Sequence, residues 1–347
     1  MQRSPSPPDE AGPRLLFILG APRSGTTLLM RLLAAHPRVL ARPEPHLMTP
    51  LAYLGYFDHV GSAPYDPLVT HLAIRHFVAG LPRGEDDYVD AVRAYCDTLY
   101  GRMLAASGRD LFVDKTPAYA LISPFLERIY PDARYVVITR HPGAIFSSHA
   151  RAFFDDDWHA AHAFHPLLER YVPAIAAFLR RSPSALHLRY ETLVTDPQGA
   201  CRALCAHAGL ADHPPMVAYG EVPVAGLGPG DPGVDRHQRP TPRYLDAWRD
   251  AVEAAPGRRA LLEQILEELS DPDLRAFGVD RHTFFEPSRA EPSPPRPHRG
   301  TAERWSGPAL RRRVLLRLRR GASDPRTGRV LRQIRFYCDV LLRESVC

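Results

Sequence analysis

Hydrophobic positions near the start of the chain form two successive patterns. Five apolar residues in a row, Leu15–Leu19, run into a turn of glycine, proline and serine. Leucines within residues 28–33 then recur at the spacing of one helix face, and the pattern ends before Pro37. A short continuous apolar run is typical of a buried parallel strand, and an amphipathic run behind it is typical of a crossover helix.

The same combination recurs further along the chain. Predicted strands at residues 111–113, 134–139 and 186–190 are each followed by a turn and a helical pattern, and residues 39–41 predict one more short strand. Repeated strand–helix units predict an α/β fold, with a P-loop-like central parallel sheet flanked by helices.

Changes of composition along the chain predict its domain organisation. Residues 1–13 are polar and rich in proline and serine, which predicts a disordered N-terminus. Residues 14–285 carry the strand–helix units and predict one domain, within which residues 50–108 form a mainly helical insertion on the acceptor side. Residues 286–300 are a proline-rich linker, and residues 301–347 predict a basic helical tail.

Composition narrows the class of protein. Hydrophobic residues make up 45% and charged residues 24%, as in soluble globular proteins. No apolar run approaches the length of a membrane span, and the start of the chain does not resemble a signal peptide. The 5 cysteines show no metal-ligand spacing. These features predict a cytoplasmic protein with reduced cysteines.

The net charge of +5 suits an anionic cosubstrate, and part of it lies in the tail. Within the basic tail, residues 308–347, the stretch Pro308–Arg320 alternates arginines with apolar residues, and a second helical run covers about Arg329–Glu344. Such a segment can dock on an anionic membrane, on nucleic acid or on a partner helix, or it can pack on the protein's own surface. We expect contact with a membrane surface or a protein, with peripheral membrane association, and we expect no nucleic-acid partner.

The first turn carries the clearest candidate chemistry. Its spacing, Gly20-x4-Gly25-Thr26-Thr27, is that of a phosphate-binding loop at a helix N-terminus, where backbone N–H groups and the helix dipole favour an anion. Walker A loops place a lysine before the final Ser/Thr. Here Thr26 occupies that place and the nearest cation is Arg23, so an ordinary nucleoside triphosphatase is disfavoured.

Two further cations follow predicted strands. Lys115, the only lysine of the chain, comes directly after the run at 111–113 and Asp114. Arg140 follows the run at 134–139 and precedes a helix that begins at Pro142. Because ligands of open α/β sheets collect at the carboxyl ends of the strands, Arg140 predicts a second anion site beside the first. The sequence therefore predicts two anion sites, one after each of two strands.

Three segments resemble sulfotransferases that use 3′-phosphoadenosine 5′-phosphosulfate (PAPS), with the closest likeness to the tyrosylprotein and related bacterial branch. They are Pro22–Thr27, the pair Arg140 and Ser148 spaced eight residues apart, and the Arg-Tyr-Glu-x-Leu-Val-x-x-Pro stretch that begins at Arg189. The resemblance spans about residues 13–280 and does not include the tail.

The resemblance implies PAPS as cosubstrate, a hydroxyl-bearing acceptor and no metal. It also implies which residues bind the cosubstrate. The 5′-phosphosulfate group is held by residues of the first turn, namely Arg23, Ser24, Gly25, Thr26 and Thr27. The 3′-phosphate and the nucleoside are held by residues further along the chain, namely Arg140, Ser148, Arg151 and Tyr190.

Two catalytic residues follow from the same resemblance. Glu44, eight residues after His36, corresponds to a base that takes the proton of the acceptor hydroxyl. Lys115 corresponds to a lysine that contacts the bridging oxygen of the phosphosulfate. His46 is an alternative base because it is close in sequence and has a suitable intrinsic pKa. The family closes a loop over the nucleotide with a serine that residues 230–245 lack, so no residue there is assigned.

Two other functions remain open at this point. One is a P-loop kinase acting on a small metabolite, which would need Mg²⁺ and a lysine at the phosphates. The other is a non-catalytic nucleotide-binding scaffold that works through its basic tail. For a sulfotransferase, the acceptor is also open, because tyrosine, sugar, lipid and secondary-metabolite hydroxyls all suit the predicted chemistry.

Overall fold

A computed structural model describes most of the predicted domain. The described residues are 12–57, 67–222, Val234 and 237–286. The predictions for the N-terminus up to residue 11, for the linker beyond Glu286 and for the basic tail lie outside these residues. The same holds for most of the predicted nucleotide-closing loop before residue 237.

Five strands form one sheet in which every pair of neighbours is parallel, in the order β2-β3-β1-β4-β5. The strands are β1 (Leu15–Leu19), β2 (Val39–Pro43), β3 (Leu111–Lys115), β4 (Arg134–Thr139) and β5 (Leu186–Arg189). Every residue of β1 is buried, as a continuous apolar run requires of a central strand. The predicted α/β fold with a central parallel sheet is confirmed.

Helices connect these strands and follow them. They are α1 (Thr26–Ala34), α2 (Met48–Ala52), α3 (Pro67–Ala79), α4 (Glu85–Ser107), α5 (Ser123–Ile129), α6 (Pro142–Phe153), α7 (Trp158–Phe164), α8 (Leu167–Arg181), α9 (Tyr190–Thr195), α10 (Pro197–Ala208), α11 (Ala247–Glu253), α12 (Pro256–Glu267) and α13 (Asp271–Ala276). Short 3₁₀ turns span Pro117–Ile122, Pro214–Glu221 and Pro242–Tyr244. Among the described helices, none combines the length and the apolar character that crossing a membrane requires.

Two compact units divide the described residues. One comprises residues 12–146 and 167–286 and contains the whole sheet. The other includes residues 147–166, where the ring of Phe154 packs on the rings of His149 and Phe164.

The two faces of the sheet are covered differently. On one face, α1, α9 and α10 pack their apolar side chains on the sheet in one continuous core that contains Leu16 and Ile18. On the other face, an aromatic group surrounds Phe17, whose ring stacks on Tyr135 with centroids 5.6 Å apart. Because side chains alternate across a strand, neighbours in β3 also point to opposite faces.

Local signals in the sequence explain several element boundaries. Asp196 caps α10 by accepting the backbone N–H of Gly199, and Ser270 caps α13 in the same way through Asp273. The predicted strand at 111–113 continues to Lys115. The helix expected after Pro117 begins instead as a 3₁₀ turn and becomes α-helical at Ser123.

Candidate functional site

The direction of the connections reverses between the neighbouring strands β1 and β4. The chain leaves β1 towards β2 on one side of the sheet and leaves β4 towards β5 on the other. Ligands of open α/β sheets bind at such a reversal, because the two connections diverge and leave space between the strand ends. The loop Gly20–Gly25 follows β1 here, and Arg140 follows β4.

The Gly20–Gly25 loop turns tightly into α1. The backbone N–H of Ser24 donates to the carbonyl of Ala21 at 3.1 Å. Arg23 and Gly25 have left-handed backbone angles, with φ of 71° and 102°. Gly25, the N-cap residue of α1, has no side chain that could cap the first turn. The N–H groups of that turn and the helix dipole therefore remain suited to an anion.

Close packing behind the loop explains why glycine stands at its end. A Cβ at Gly25 would lie 2.6 Å from Cδ2 of the Tyr190 ring. The hydroxyl of Ser24 is buried and has no hydrogen-bond partner among the described residues. A buried hydroxyl without a partner is costly, so the loop suits a ligand that supplies hydrogen-bonding oxygens. The residues present thus fit a phosphate or phosphosulfate group.

Arg140, the cation of the second predicted anion site, contacts the loop of the first. Its Nη1 donates to the carbonyl of Arg23 at 3.1 Å, and its Nη2 donates to the carbonyl of Tyr244 at 3.2 Å. Its guanidinium carbon lies 4.2 Å from the ring centroid of Tyr190, which is within the range of a cation–π contact. The cation after β4 therefore faces the loop after β1, and Tyr190 lies beneath both.

The side chains of Lys115 and Glu44 contact each other next to Thr27, in the first turn of α1. The side chain of Lys115 is fully buried, and its Nζ donates to Oε1 of Glu44 at 2.6 Å. The same ammonium lies 3.4 Å from the hydroxyl of Thr27 on α1. β2 and β3 pair in register at their last residues, so the loop that begins with Glu44 starts next to Lys115. Two predicted catalytic residues and Thr27, a residue of the predicted phosphate site, thus come together from three elements.

His46, the alternative base, lies two residues after Glu44 in the loop between β2 and α2, and it is exposed to solvent. Its Nε2 is 3.7 Å from Oε2 of Glu44. Its backbone N–H donates to the hydroxyl of Thr116 at 3.3 Å. Both candidate bases therefore lie near Lys115, and Glu44 contacts it directly.

Asp114 was not assigned a role from the sequence. Its carboxylate is buried and accepts hydrogen bonds from the hydroxyls of Tyr100, Tyr119 and Thr116. Burial raises the pKa of this carboxyl group to about 6, against the hydrogen bonds and the charge of Lys115, which lower it. An acidic residue inside an apolar strand was the signal that could have identified it.

Two predicted site residues belong to the second compact unit. Ser148 and Arg151 both lie on α6, where Ser148 is half-buried and Arg151 is exposed. Their assignment to the cosubstrate rests on the sequence and stays a prediction. Among the described residues, no group of three or more His, Cys, Asp or Glu side chains is arranged to hold a metal ion.

Comparison with known protein families adds to this geometry. A family model described as "Sulfotransferase family" matches residues 13–214, which is more than half of the chain. The match spans β1 to β5 and includes every residue that the sequence assigned to the site.

Two individual proteins show how far the likeness reaches. Nodulation protein NoeE of Sinorhizobium fredii (strain NBRC 101917 / NGR234) is 38% identical over 136 residues, which are 39% of this chain and 31% of that protein. The match therefore spans about a third of that relative's length. The structure of the "Sulfotransferase Domain from the Curacin Biosynthetic Pathway" superposes with a TM-score of 0.51 at 21% identity. That superposition covers 77% of this chain and 96% of the other, and it supports the fold.

Proposed function

Because the chain belongs to the sulfotransferase family, we propose that it transfers a sulfuryl group from PAPS to the hydroxyl of an acceptor by in-line displacement. PAPS supplies the sulfuryl group when bound and leaves as adenosine 3′,5′-bisphosphate. The transfer needs little covalent chemistry from the protein, so positioning and charge stabilisation account for most of the catalysis.

The contact between Arg140 and the Gly20–Gly25 loop is the observation that supports this function most. A nucleotide with phosphates only at its 5′ end uses one anion site. PAPS carries anionic groups at both the 5′ and the 3′ positions, and two adjoining cationic sites suit it better.

In this proposal the Gly20–Gly25 loop binds the 5′ end of the cosubstrate. The N–H groups at the start of α1, the Arg23 guanidinium and the hydroxyls of Thr26 and Thr27 donate to its oxygens. Ser24 gains there the hydrogen-bond partner that its buried hydroxyl lacks among the described residues.

Arg140 binds the 3′-phosphate, and the Tyr190 ring supports both Arg140 and the nucleoside. Arg140 donates to two backbone carbonyls, and a phosphate is a better acceptor for a guanidinium than a neutral carbonyl oxygen. The resemblance adds Ser148 and Arg151 to this end of the nucleotide, as sequence-based members of the site.

Glu44 and Lys115 perform the chemistry. Glu44 takes the proton of the acceptor hydroxyl, a role that typically contributes about 10²–10⁴-fold to the rate. Lys115 stabilises the negative charge on the phosphate oxygen that departs from sulfur. Each needs the other nearby, because the proton is lost and the leaving-group charge develops in the same step. His46 is the alternative base.

A binding experiment tests the cosubstrate. Adenosine 3′,5′-bisphosphate should raise the melting temperature of the full chain in the presence of EDTA, because a ligand that binds only the folded state stabilises it. ATP with Mg²⁺ is the second arm, since Lys115 lies close enough to Thr27 to assist a triphosphate. Stabilisation by ATP with Mg²⁺ and none by the bisphosphate would favour the kinase and contradict the sulfotransferase.

The acceptor class needs a separate experiment. The full chain is incubated with ³⁵S-labelled PAPS and, in separate reactions, a tyrosine-containing peptide, a chitin oligosaccharide, 4-nitrophenol and a long-chain alcohol. Radiolabel should pass to at least one of these hydroxyl compounds. Bisphosphate binding without transfer to any of them or to acceptors in a cell extract would favour the non-catalytic scaffold.

A further inference from the structure

The buried carboxylate of Asp114 lies beneath the loop that carries Glu44. Asp114 precedes Lys115 in β3, so its side chain points to the opposite face of the sheet. Its Oδ2 accepts from the hydroxyls of Tyr100 at 2.6 Å and Tyr119 at 3.1 Å, and its Oδ1 lies 3.4 Å from the hydroxyl of Thr116. Both oxygens of the carboxylate are thus used.

Two of these hydroxyls also hold the backbone that follows Glu44. The Thr116 hydroxyl accepts the N–H of His46 at 3.3 Å, and the Tyr119 hydroxyl accepts the N–H of Met48 at 3.0 Å. One hydroxyl therefore links each oxygen of Asp114 to this backbone. Among the described residues, the Tyr100 hydroxyl makes no such link and bonds to the carboxylate alone.

The backbone held in this way has an unfavourable conformation. Glu44 and His46 have φ of 34° and 54°, in the left-handed region that residues with a side chain rarely occupy. Such angles persist where surrounding contacts over-determine them, and they are common at functional sites. The hydrogen bonds to Thr116 and Tyr119 are contacts of this kind, because they hold the backbone amides two and four residues after Glu44.

We propose that Asp114 is a positioning residue that fixes residues 44–48 through Tyr119 and Thr116, and so holds Glu44 against Lys115. This inference rests on the proposed function, because it takes Glu44 as the base. Asp114 acts from the far face of the sheet. Its effect on the reaction passes through the conformation of the loop.

Hydrogen exchange tests the link without any substrate. Tyr119→Phe and Tyr100→Phe each delete one hydroxyl that donates to Oδ2 of Asp114. Both rings are buried, so the two variants make a matched pair. Tyr119→Phe should increase exchange at the amide of Met48 by about fivefold or more, the fold-change that corresponds to a net hydrogen bond of about 1 kcal/mol. Tyr100→Phe should leave that amide unchanged, and equal protection in both variants would overturn the inference.

Kinetics test whether the loop conformation matters for the reaction. The assay uses ³⁵S-PAPS with 4-nitrophenol as the acceptor, or with water as the acceptor if the enzyme does not sulfate the phenol. In this assay Tyr119→Phe and Thr116→Val should lower kcat by about tenfold or more, because small misplacements of a reacting group are costly. Their affinity for adenosine 3′,5′-bisphosphate should stay within about twofold. Tyr100→Phe should keep its kcat, and an equal loss in Tyr100→Phe and Tyr119→Phe would contradict a positioning role.

The carboxylate itself is tested by two substitutions. Asp114→Asn keeps the shape and one acceptor oxygen, so it should retain more of the kcat than Asp114→Ala at equal bisphosphate affinity. Failure of the inference is distinguishable from failure of the proposed function. A wild-type chain that does not bind the bisphosphate contradicts the function. Exchange at the amide of Met48 in Asp114→Ala still decides the link to Asp114, because it should rise only if the carboxylate holds the Tyr119 hydroxyl in place.

Discussion

The ammonium of Lys115 lies 2.6 Å from Oε1 of Glu44, and the lysine side chain is fully buried. Each group neutralises the other while no donor is bound. In the proposed function the phosphosulfate group competes with Glu44 for the ammonium of Lys115, so cosubstrate binding weakens this ion pair.

Substitution of the base gives the first prediction. Glu44→Gln keeps the size and a hydrogen-bond acceptor for Lys115 but removes proton acceptance. The rate of transfer from PAPS should fall by about 10²–10⁴-fold, and bisphosphate affinity should not weaken. Rates are measured at saturating PAPS with the acceptor that the radiolabel screen identifies. His46→Gln is the control and should stay within a few-fold of wild type. A large loss in His46→Gln with little loss in Glu44→Gln would transfer the role to the histidine.

Lys115 gives the second prediction. Lys115→Met keeps an unbranched side chain in the buried position and removes the charge. Transfer should fall by about 10²-fold or more, since a preorganised charge at the leaving group is a large contribution in a site that excludes water. The bisphosphate should still raise the melting temperature, because the Gly20–Gly25 loop and Arg140 remain. An unchanged rate of transfer would remove Lys115 from the chemistry.

Arg140 gives the third prediction, which concerns binding. Arg140→Ala should weaken adenosine 3′,5′-bisphosphate by about 10–100-fold, the range expected when a charged hydrogen-bond donor is lost. Adenosine 5′-monophosphate lacks the 3′-phosphate, so its affinity should change less. Both affinities are measured by calorimetry. Arg128→Ala is the control, because that side chain forms exposed ion pairs with Glu85 and Asp86. Equal affinity of the wild-type chain for the two nucleotides would contradict the assigned site.

Much of this site follows from the sequence because its residues come directly after strands. The runs at Leu15–Leu19 and Arg134–Thr139 coincide with β1 and β4, and parallel strands bring their carboxyl ends together. The meeting of Arg140 with the Gly20–Gly25 loop is a consequence of that topology.

Other features depend on side-chain packing, which a single sequence does not encode locally. Nothing in the spacing of Asp114, Tyr119 and Met48 shows that a hydroxyl of one would link the other two. The direct contact between Glu44 and Lys115 likewise depends on how β2 and β3 pair and on a left-handed turn at Glu44. Resemblance supplied these two residues, and their geometry came from the fold.

A pair of glycines gives the fourth prediction. Gly25→Ala places a Cβ against the Tyr190 ring at a φ of 102°, so it should destabilise the fold by about 1 kcal/mol or more and weaken bisphosphate binding. Gly101→Ala is the matched control, because it lies within α4 and its Cβ would meet nothing within 4 Å. That change should stabilise the protein by about 0.5–1 kcal/mol. Urea unfolding measures both. A Gly25→Ala variant as stable as wild type would show that the loop is not packed on Tyr190.

The pH dependence of stability gives the fifth prediction, through His141. Its ring stacks on Trp248 with centroids 4.3 Å apart and packs on Phe284. Burial, and after it the charge of Arg249, lower the pKa of His141 from its ordinary value of 6.5 to about 3. His141 therefore becomes protonated below about pH 6.5 in the unfolded state, but only near pH 3 in the folded state. Stability falls as the pH falls through this window, and the loss between pH 7 and pH 5 is about 2 kcal/mol from this group.

Protonation of Asp114 changes the stability of the fold in the opposite direction. Its carboxyl pKa is raised to about 6, so the folded state takes up a proton before the unfolded state does and gains stability as the pH falls from 6 towards 3.8. The two effects partly cancel in the wild-type chain, and a variant separates them. His141→Phe keeps an aromatic ring between Trp248 and Phe284 but cannot ionise. Its free energy of unfolding should drop less than that of wild type between pH 7 and pH 5, or rise, by a difference of about 2 kcal/mol in urea titrations. Parallel pH profiles of the two proteins would mean that His141 does not carry the shifted pKa.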